Sequence, residues 1–188
     1  SFLVVTDGDA GFAEQQAKWL ARRAWDRRAE LQNDSPSVEE SINRAMNAPS
    51  DDKPTAIMDV GDNVGGGGTA DSTHLLAEAM RQGLSGEKSL LLSLFDPFAV
   101  QACIGAGVGS TITLKVGAGT DRLHGERIGV TGHVRAITDG KFEEPKPTHS
   151  GFRFFDYGPS VALDTEDGHT IVRHTVRGIG NMSREQYY

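Results

Sequence analysis

Hydrophobic positions recur along this chain in two rhythms. From Gly11 to about Leu31, the apolar residues Ala13, Ala17, Leu20, Ala24 and Leu31 return at helical spacing, with Trp25 beside them. The intervening positions are mostly Glu, Gln, Lys and Arg, so one stripe packs and the other faces water. Ser37-x-x-Glu40 has the form of a capping box and predicts a short second helix to about Met46. Further on, Leu75, Leu76, Ala79 and Met80 mark a helix over about Ala70 to Gln82. Asp96-Pro97 sets an N-cap residue before an N1 proline and opens another helix to about Ile104. Gly105, Gly107 and Gly109 follow it and read as its C-terminal cap.

The second rhythm is that of strands. Phe2 to Thr6, Ala56 to Met58 and the continuous apolar run Ser89 to Phe95 read as short buried strands. Strand–helix alternation of this kind predicts an α/β fold with a mainly parallel sheet and flanking helices in the first part. After about residue 110 the character changes to an antiparallel β-rich extension. Thr111 to Val116 alternates, Ile128 to Ile137 is rich in β-branched residues, and Phe152, Phe154 and Phe155 suggest a further strand. Asp139-Gly140 and Asp167-Gly168 are strong tight-hairpin signals between strand-like runs. Ala48 to Pro54, with two prolines and two aspartates, is the best candidate for a boundary.

Composition narrows the function classes. The 188 residues suffice for one sizeable core, and the net charge of −7 without a basic stripe argues against a nucleic-acid partner. No run approaches the ~20 apolar residues of a membrane helix, so neither a membrane partner nor a targeting segment is expected, and the expected location is cytoplasmic. The single cysteine, Cys103, lies in an apolar helical pattern and reads as a small buried hydrophobe rather than a nucleophile. Ser1 leads directly into a strand-like run without an initiator Met, as in a piece of a longer polypeptide.

Candidate chemistry concentrates in Ala56 to Thr73, AIMDVGDNVGGGGTADST. Asp59, Asp62, Asn63 and Asp71 surround four successive glycines, Gly65, Gly66, Gly67 and Gly68, just before a helix. Glycine lets backbone approach a ligand, and the first N–H groups of a helix lack internal partners. Asp62 and Asn63 are the candidate catalytic residues. With Gly65 to Gly68 and Asp71 they are also the candidate substrate-binding set, suited to a peptide or small amide. The competing reading is that these side chains merely tie down a turn. Phosphate or nucleotide binding is disfavoured because no lysine occurs between Lys53 and Lys88 and the carboxylates would repel a polyphosphate. The six histidines, His74, His124, His133, His149, His169 and His174, form no HExxH pattern and read as surface or turn residues, so no self-contained zinc site is expected.

The DNVGGGGTADST stretch resembles the C-terminal domain of the MlrC family, the microcystinase C-like metallopeptidases. So do VVTDGD at Val4 to Asp9, AWDRRAE at Ala24 to Glu30 and GVGSTITLKVGAG at Gly107 to Gly119. The resemblance implies that residues 51–188 form that domain, while residues 1–50 link to, or complete, a preceding one. It also implies that zinc, held by ligands in an N-terminal metal-binding domain absent from this chain, belongs to a parent hydrolase. In that parent the Asp62–Gly68 loop would face the metal domain, and the isolated chain would be inactive. A non-catalytic small-molecule or anion-binding module and a structural or dimerisation domain are the alternatives, and a homo-oligomer is compatible with each.

Overall fold

The computed structural model describes residues 2–31, 34–49, 53–85, 88–147 and 151–175. His149, Asn33 and the Asp51–Asp52 part of the expected linker lie outside them. The chain divides into two compact units, Ser1–Pro36 and Ser37–Tyr188.

The first unit is built on helix α1 (Ala10–Asp26), whose Asp9 carboxylate accepts from the Phe12 N–H at 2.8 Å and caps it. Arg23 and Arg28 lie over the rings of Trp19 and Trp25. Phe2 to Thr6 forms no strand, contrary to its apolar pattern: Leu3 and Val5 are almost fully exposed and no ladder partner is present among the described residues.

The second unit carries a mixed sheet. Its strands are β1 (Leu91–Phe95), β2 (Thr111–Val116), β3 (Ile128–Thr138), β6 (Ser160–Thr165) and β7 (Thr170–His174), in the order β1-β7-β6-β3-β2. Strands β4 (Lys141–Glu143) and β5 (Phe154–Asp156) form a separate antiparallel pair. The expectation of a mainly parallel sheet is corrected here. Only β1 and β7 pair in parallel among the described residues, and the other pairs are antiparallel. Two of the strands that would have made it parallel do not form. Like Phe2 to Thr6, Ala56 to Met58 is irregular, with Met58 85% exposed.

Helix α4 (Pro97–Ala106) covers one face of the sheet. Val100 and Cys103 meet Leu94, Val116, Val134, Leu163 and Ile171 in one buried cluster. Asp96 caps α4 as expected, accepting from the Ala99 N–H at 3.0 Å. A smaller cluster of Ile42, Ala79 and Leu84 joins helix α2 (Val38–Met46) to helix α3 (His74–Gln82). Ser37 caps α2. At the other end the Lys88 ammonium donates to the carbonyls of Ala45, Met46 and Ala48, which the helix itself cannot satisfy.

Asp167-Gly168 makes the expected hairpin between β6 and β7. Asp139-Gly140 turns the chain as expected but joins no hairpin. β3 pairs with β6 and β4 with β5, so this turn carries the chain out of one sheet into the other. Cys103 is fully buried, with its sulfur 3.3 Å from Arg173 Nη2, and burial pushes its thiol pKa up. It is an inert core residue, as its pattern implied.

His174, at the end of β7, is 6% exposed. The Ser160 hydroxyl donates to the Gly158 carbonyl, so its oxygen accepts from His174 Nδ1 at 2.8 Å. Burial lowers the His174 pKa from 6.5 to about 4. Between those values the unfolded chain binds a proton that the folded chain refuses, so stability falls as pH drops from 6.5 towards 4. We expect His174→Phe to remove up to ~3 kcal/mol of this acid-dependent loss. Urea denaturation of both proteins at pH 7 and pH 4 measures it, and parallel pH dependences would disprove the assignment.

Candidate functional site

The polar stretch 59–73 is a strap that bridges the two edge strands of the sheet. The Phe95 N–H, at the end of β1, donates to the Ala70 carbonyl at 2.6 Å. The Ala118 N–H, just beyond β2, donates to the Asp71 carbonyl at the same distance. The strap therefore lies between strand ends that the ladder order places farthest apart. The sheet it bridges is mixed rather than mainly parallel. Helix α3 also begins later than expected, at His74, and its N-cap Thr73 makes no side-chain capping bond.

Within the strap, each carboxylate has a definite task. The Asp59 carboxylate accepts from the Asp62 N–H at 3.2 Å. Asp62 accepts from the Ala70 N–H at 2.7 Å on one oxygen and from the Ser72 N–H at 2.8 Å on the other. It folds the loop back on itself. Asn63 Oδ1 accepts from the Gly65 N–H at 3.0 Å, opening a 3-10 turn over Val64–Gly66, and Asn63 itself is exposed. Gly67 closes that turn at φ +95°, a left-handed conformation that favours glycine. A side chain on Gly68 would stand 2.3 Å from the Asp62 carbonyl carbon, so no other residue fits there. Gly65 and Gly66 are different. Their φ is ordinary, and a Cβ would meet only the Asn63 amide oxygen at 3.3 Å, or nothing at all. The turn needs two of its four glycines.

Asp71 is 1% exposed and joins the strap to a second loop, residues 117–127. Its carboxylate accepts from the Thr69 hydroxyl on one oxygen and, on the other, from the Gly119 and Thr120 N–H groups at 2.9 Å. Burial alone would raise its pKa, but those hydrogen bonds outweigh it and hold the carboxyl below its ordinary range. Asp71 thus lies beneath the surface as a joint, whereas Asn63 and Gly65–Gly67 are exposed.

Asp121, which no sequence pattern singled out, meets His124, expected as a surface or turn histidine, at this seam. Asp121 accepts from the Leu123 and His124 N–H groups and stands 2.9 Å from His124 Nδ1. His124 Nε2 turns towards the strap, 3.9 Å from Asp62 Oδ1. The hydrogen bond to Asp121 raises the His124 pKa and lowers that of Asp121, and the Asp62 charge adds to the rise at His124. The Thr73 N–H donates to the His124 carbonyl at 3.0 Å, and the Thr73 hydroxyl to Glu126 at 2.8 Å. The Asp-x-x-His-Gly spacing after a glycine pair was the available signal. It read as an ordinary turn because its partners are some 50 residues away. Among the described residues, no group of three or more His, Cys, Asp or Glu side chains could hold a metal ion. The seam does not fit a resident metal.

Fold and seam together define a mixed α/β domain that presents a loop-built polar edge rather than an enclosed pocket. The chain belongs to the MlrC C-terminus family, whose sequence profile matches residues 57–185. It is also similar to a crystal structure described as a "putative metallopeptidase" from Mesorhizobium sp. BNC1, at 26% identity and a TM-score of 0.70. The match covers 92% of this chain and 33% of that one, so the chain spans about a third of the length of that relative. No curated protein sequence matches. No helix among the described residues is long and apolar enough to cross a membrane.

The seam makes a stability forecast. Asp71→Ala leaves two backbone N–H groups and a hydroxyl without their buried acceptor, so we expect a loss of ~2–4 kcal/mol. Because the folded Asp71 pKa is depressed, the contribution of its charge is present above the unfolded pKa and is lost as pH falls. Chemical denaturation at pH 7 checks the first point, and a loss below 1 kcal/mol would show that the strap is held by other contacts.

Proposed function

We propose that this domain is the C-terminal part of a larger metal-dependent hydrolase that cleaves peptides or small amides. The family assignment and the likeness to the Mesorhizobium protein support the class of activity. The metal, zinc in this reading, is held by a preceding N-terminal domain, and residues 1–50 lead to or complete that domain. Cytoplasmic placement follows as part of the same reading.

One observation carries the role of the loop. Gly65 and Gly66 are exposed and Gly66 has open room for a side chain, yet neither carries one, beside an exposed Asn63. Bare backbone at that point lets a substrate amide lie against the loop. Asn63 then donates to its carbonyl, while the turn N–H groups, bonded to Asn63 and Val64, hold the loop in shape. Asp62 and Asp71 act one layer below, holding the turn in shape. The competing structural reading draws on the same Asp62 contacts: a strap whose whole purpose is to close the sheet.

Substitutions separate the two readings. In the polypeptide that joins this domain to its metal domain, Gly66→Ala and Asn63→Ala should each lower kcat/KM at least ~10-fold, about 1.4 kcal/mol. Gly66→Ala should shift folding stability by less than ~0.5 kcal/mol, as expected of an exposed position, and Asn63→Ala by about 1 kcal/mol, the contribution of its cap. Gly68→Ala should instead unfold the loop and lower the melting temperature. Normal turnover in a stably folded Gly66→Ala protein would leave the strap a structural closure only.

A further inference from the structure

We propose that His124 is the proton donor of this edge, releasing its Nε2 proton to the departing nitrogen when an amide bond is cleaved. The inference rests on the amide-hydrolase reading above and adds a residue to it. The geometry is that of an oriented acid. Asp121 grips Nδ1 with both carboxylate oxygens at 2.9 Å, which fixes the ring and its tautomer and leaves Nε2 as the working atom. The Asp121 side chain is itself fixed by the Leu123 N–H at 2.7 Å.

Nε2 faces the strap, where Asp62 is the only charged group placed against it among the described residues. At 3.9 Å that contact is too long for a hydrogen bond. The reason is on the strap: the Asp62 oxygens already accept from the Ala70 and Ser72 N–H groups. Asp62 therefore stabilises a charged imidazole by its field without tightly engaging the proton. The Gly61 carbonyl acts in the same direction. The side chain is 19% exposed, enough for a ligand lying on the glycine turn to reach it.

The step balances with water as co-reactant. Water adds its oxygen to the amide carbon and the C–N bond breaks. The nitrogen leaves with its electron pair and takes the Nε2 proton of His124, and the proton released by the attacking water restores the imidazolium. Proton donation matters most when the leaving nitrogen is strongly basic, and that dependence supplies the test.

The experiment uses the polypeptide containing both this domain and its metal domain, with a dipeptide and the matching p-nitroanilide as probes. His124→Gln should lower kcat on the dipeptide 100-fold or more, the range of general acid catalysis, but on the p-nitroanilide less than 5-fold, with KM little changed. An acid that must be protonated loses activity as pH rises through its pKa. Asp121→Asn removes the group that raises that pKa, so the alkaline limb of kcat/KM should move towards acid. Equal losses on the two probes, or an unmoved limb in Asp121→Asn, overturn the proposal. If His124→Gln fails to fold, the Asp121→Asn limb decides alone. A wild-type protein that cleaves neither probe rejects the hydrolase reading and this inference with it. Cleavage of both with the wrong mutant pattern rejects only His124.

Discussion

The rest of this domain depends on one buried carboxylate. Asp71 draws the Thr69 hydroxyl from its own strap and two consecutive N–H groups from the 117–127 loop onto a single side chain. Its backbone carbonyl takes the Ala118 N–H, while the carbonyl before it takes Phe95. Both edge strands are thereby pinned to the same two residues. The arrangement is strained: Ala70 and Ala118 sit at φ +60° and +42°, where a side chain costs ~1–2 kcal/mol each. Hydrogen bonds to a charged group contribute ~1.5–3 kcal/mol apiece, so three of them outweigh the two strained alanines. Asp96 repeats the device nearby, accepting from Gly117 and Arg127 while capping α4.

A hierarchy follows from that joint. Asp71 holds the strap against the sheet, Asp62 then folds the strap into a closed turn, and the turn presents Asn63 and the bare Gly65–Gly66 backbone. On the facing loop, Asp121 holds His124. Three aspartates thus serve as supports, and the groups they position are the exposed Asn63, the partly exposed His124 imidazole and the bare glycine backbone of the turn. On the function proposed above, such an edge suits a neutral amide, because its carboxylates are engaged by the protein's own N–H groups.

The parts legible in the sequence are those fixed by neighbours in the chain. The Ser37 and Asp96 caps, the turn at Asp167-Gly168 and the alternation of Thr111 to Val116 each depend on contacts within a few residues, and each is found. The parallel β1–β7 pairing joins Leu91 to Thr170, a separation no local pattern encodes. Ala56 to Met58 has the composition of a strand, but a strand also needs an edge to pair with, and composition says nothing about edges. The clustering of Asp62, Asn63 and the glycines was visible, whereas the division into supports and exposed groups was not. That division turns on which donors reach each oxygen, and the donors for Asp71 come from Gly119 and Thr120. His124 escaped for the same reason.

Rigidity at the seam bears on how such an edge could contribute to catalysis. A loop of four glycines left to itself would sample many conformations, and ordering it on substrate would draw ~1–2 kcal/mol per residue from binding. Here the turn's own hydrogen bonds supply that ordering. The turn is closed by Asn63, Gly66, Gly67 and Gly68 backbone bonds and locked from beneath by Asp62. Groups fixed in this way need little reorganisation as charge develops on a substrate carbonyl or leaving nitrogen, which is where preorganised dipoles have their largest effect. The glycines at 67 and 68 make that fixed shape sterically feasible, and those at 65 and 66 keep its outer surface clear.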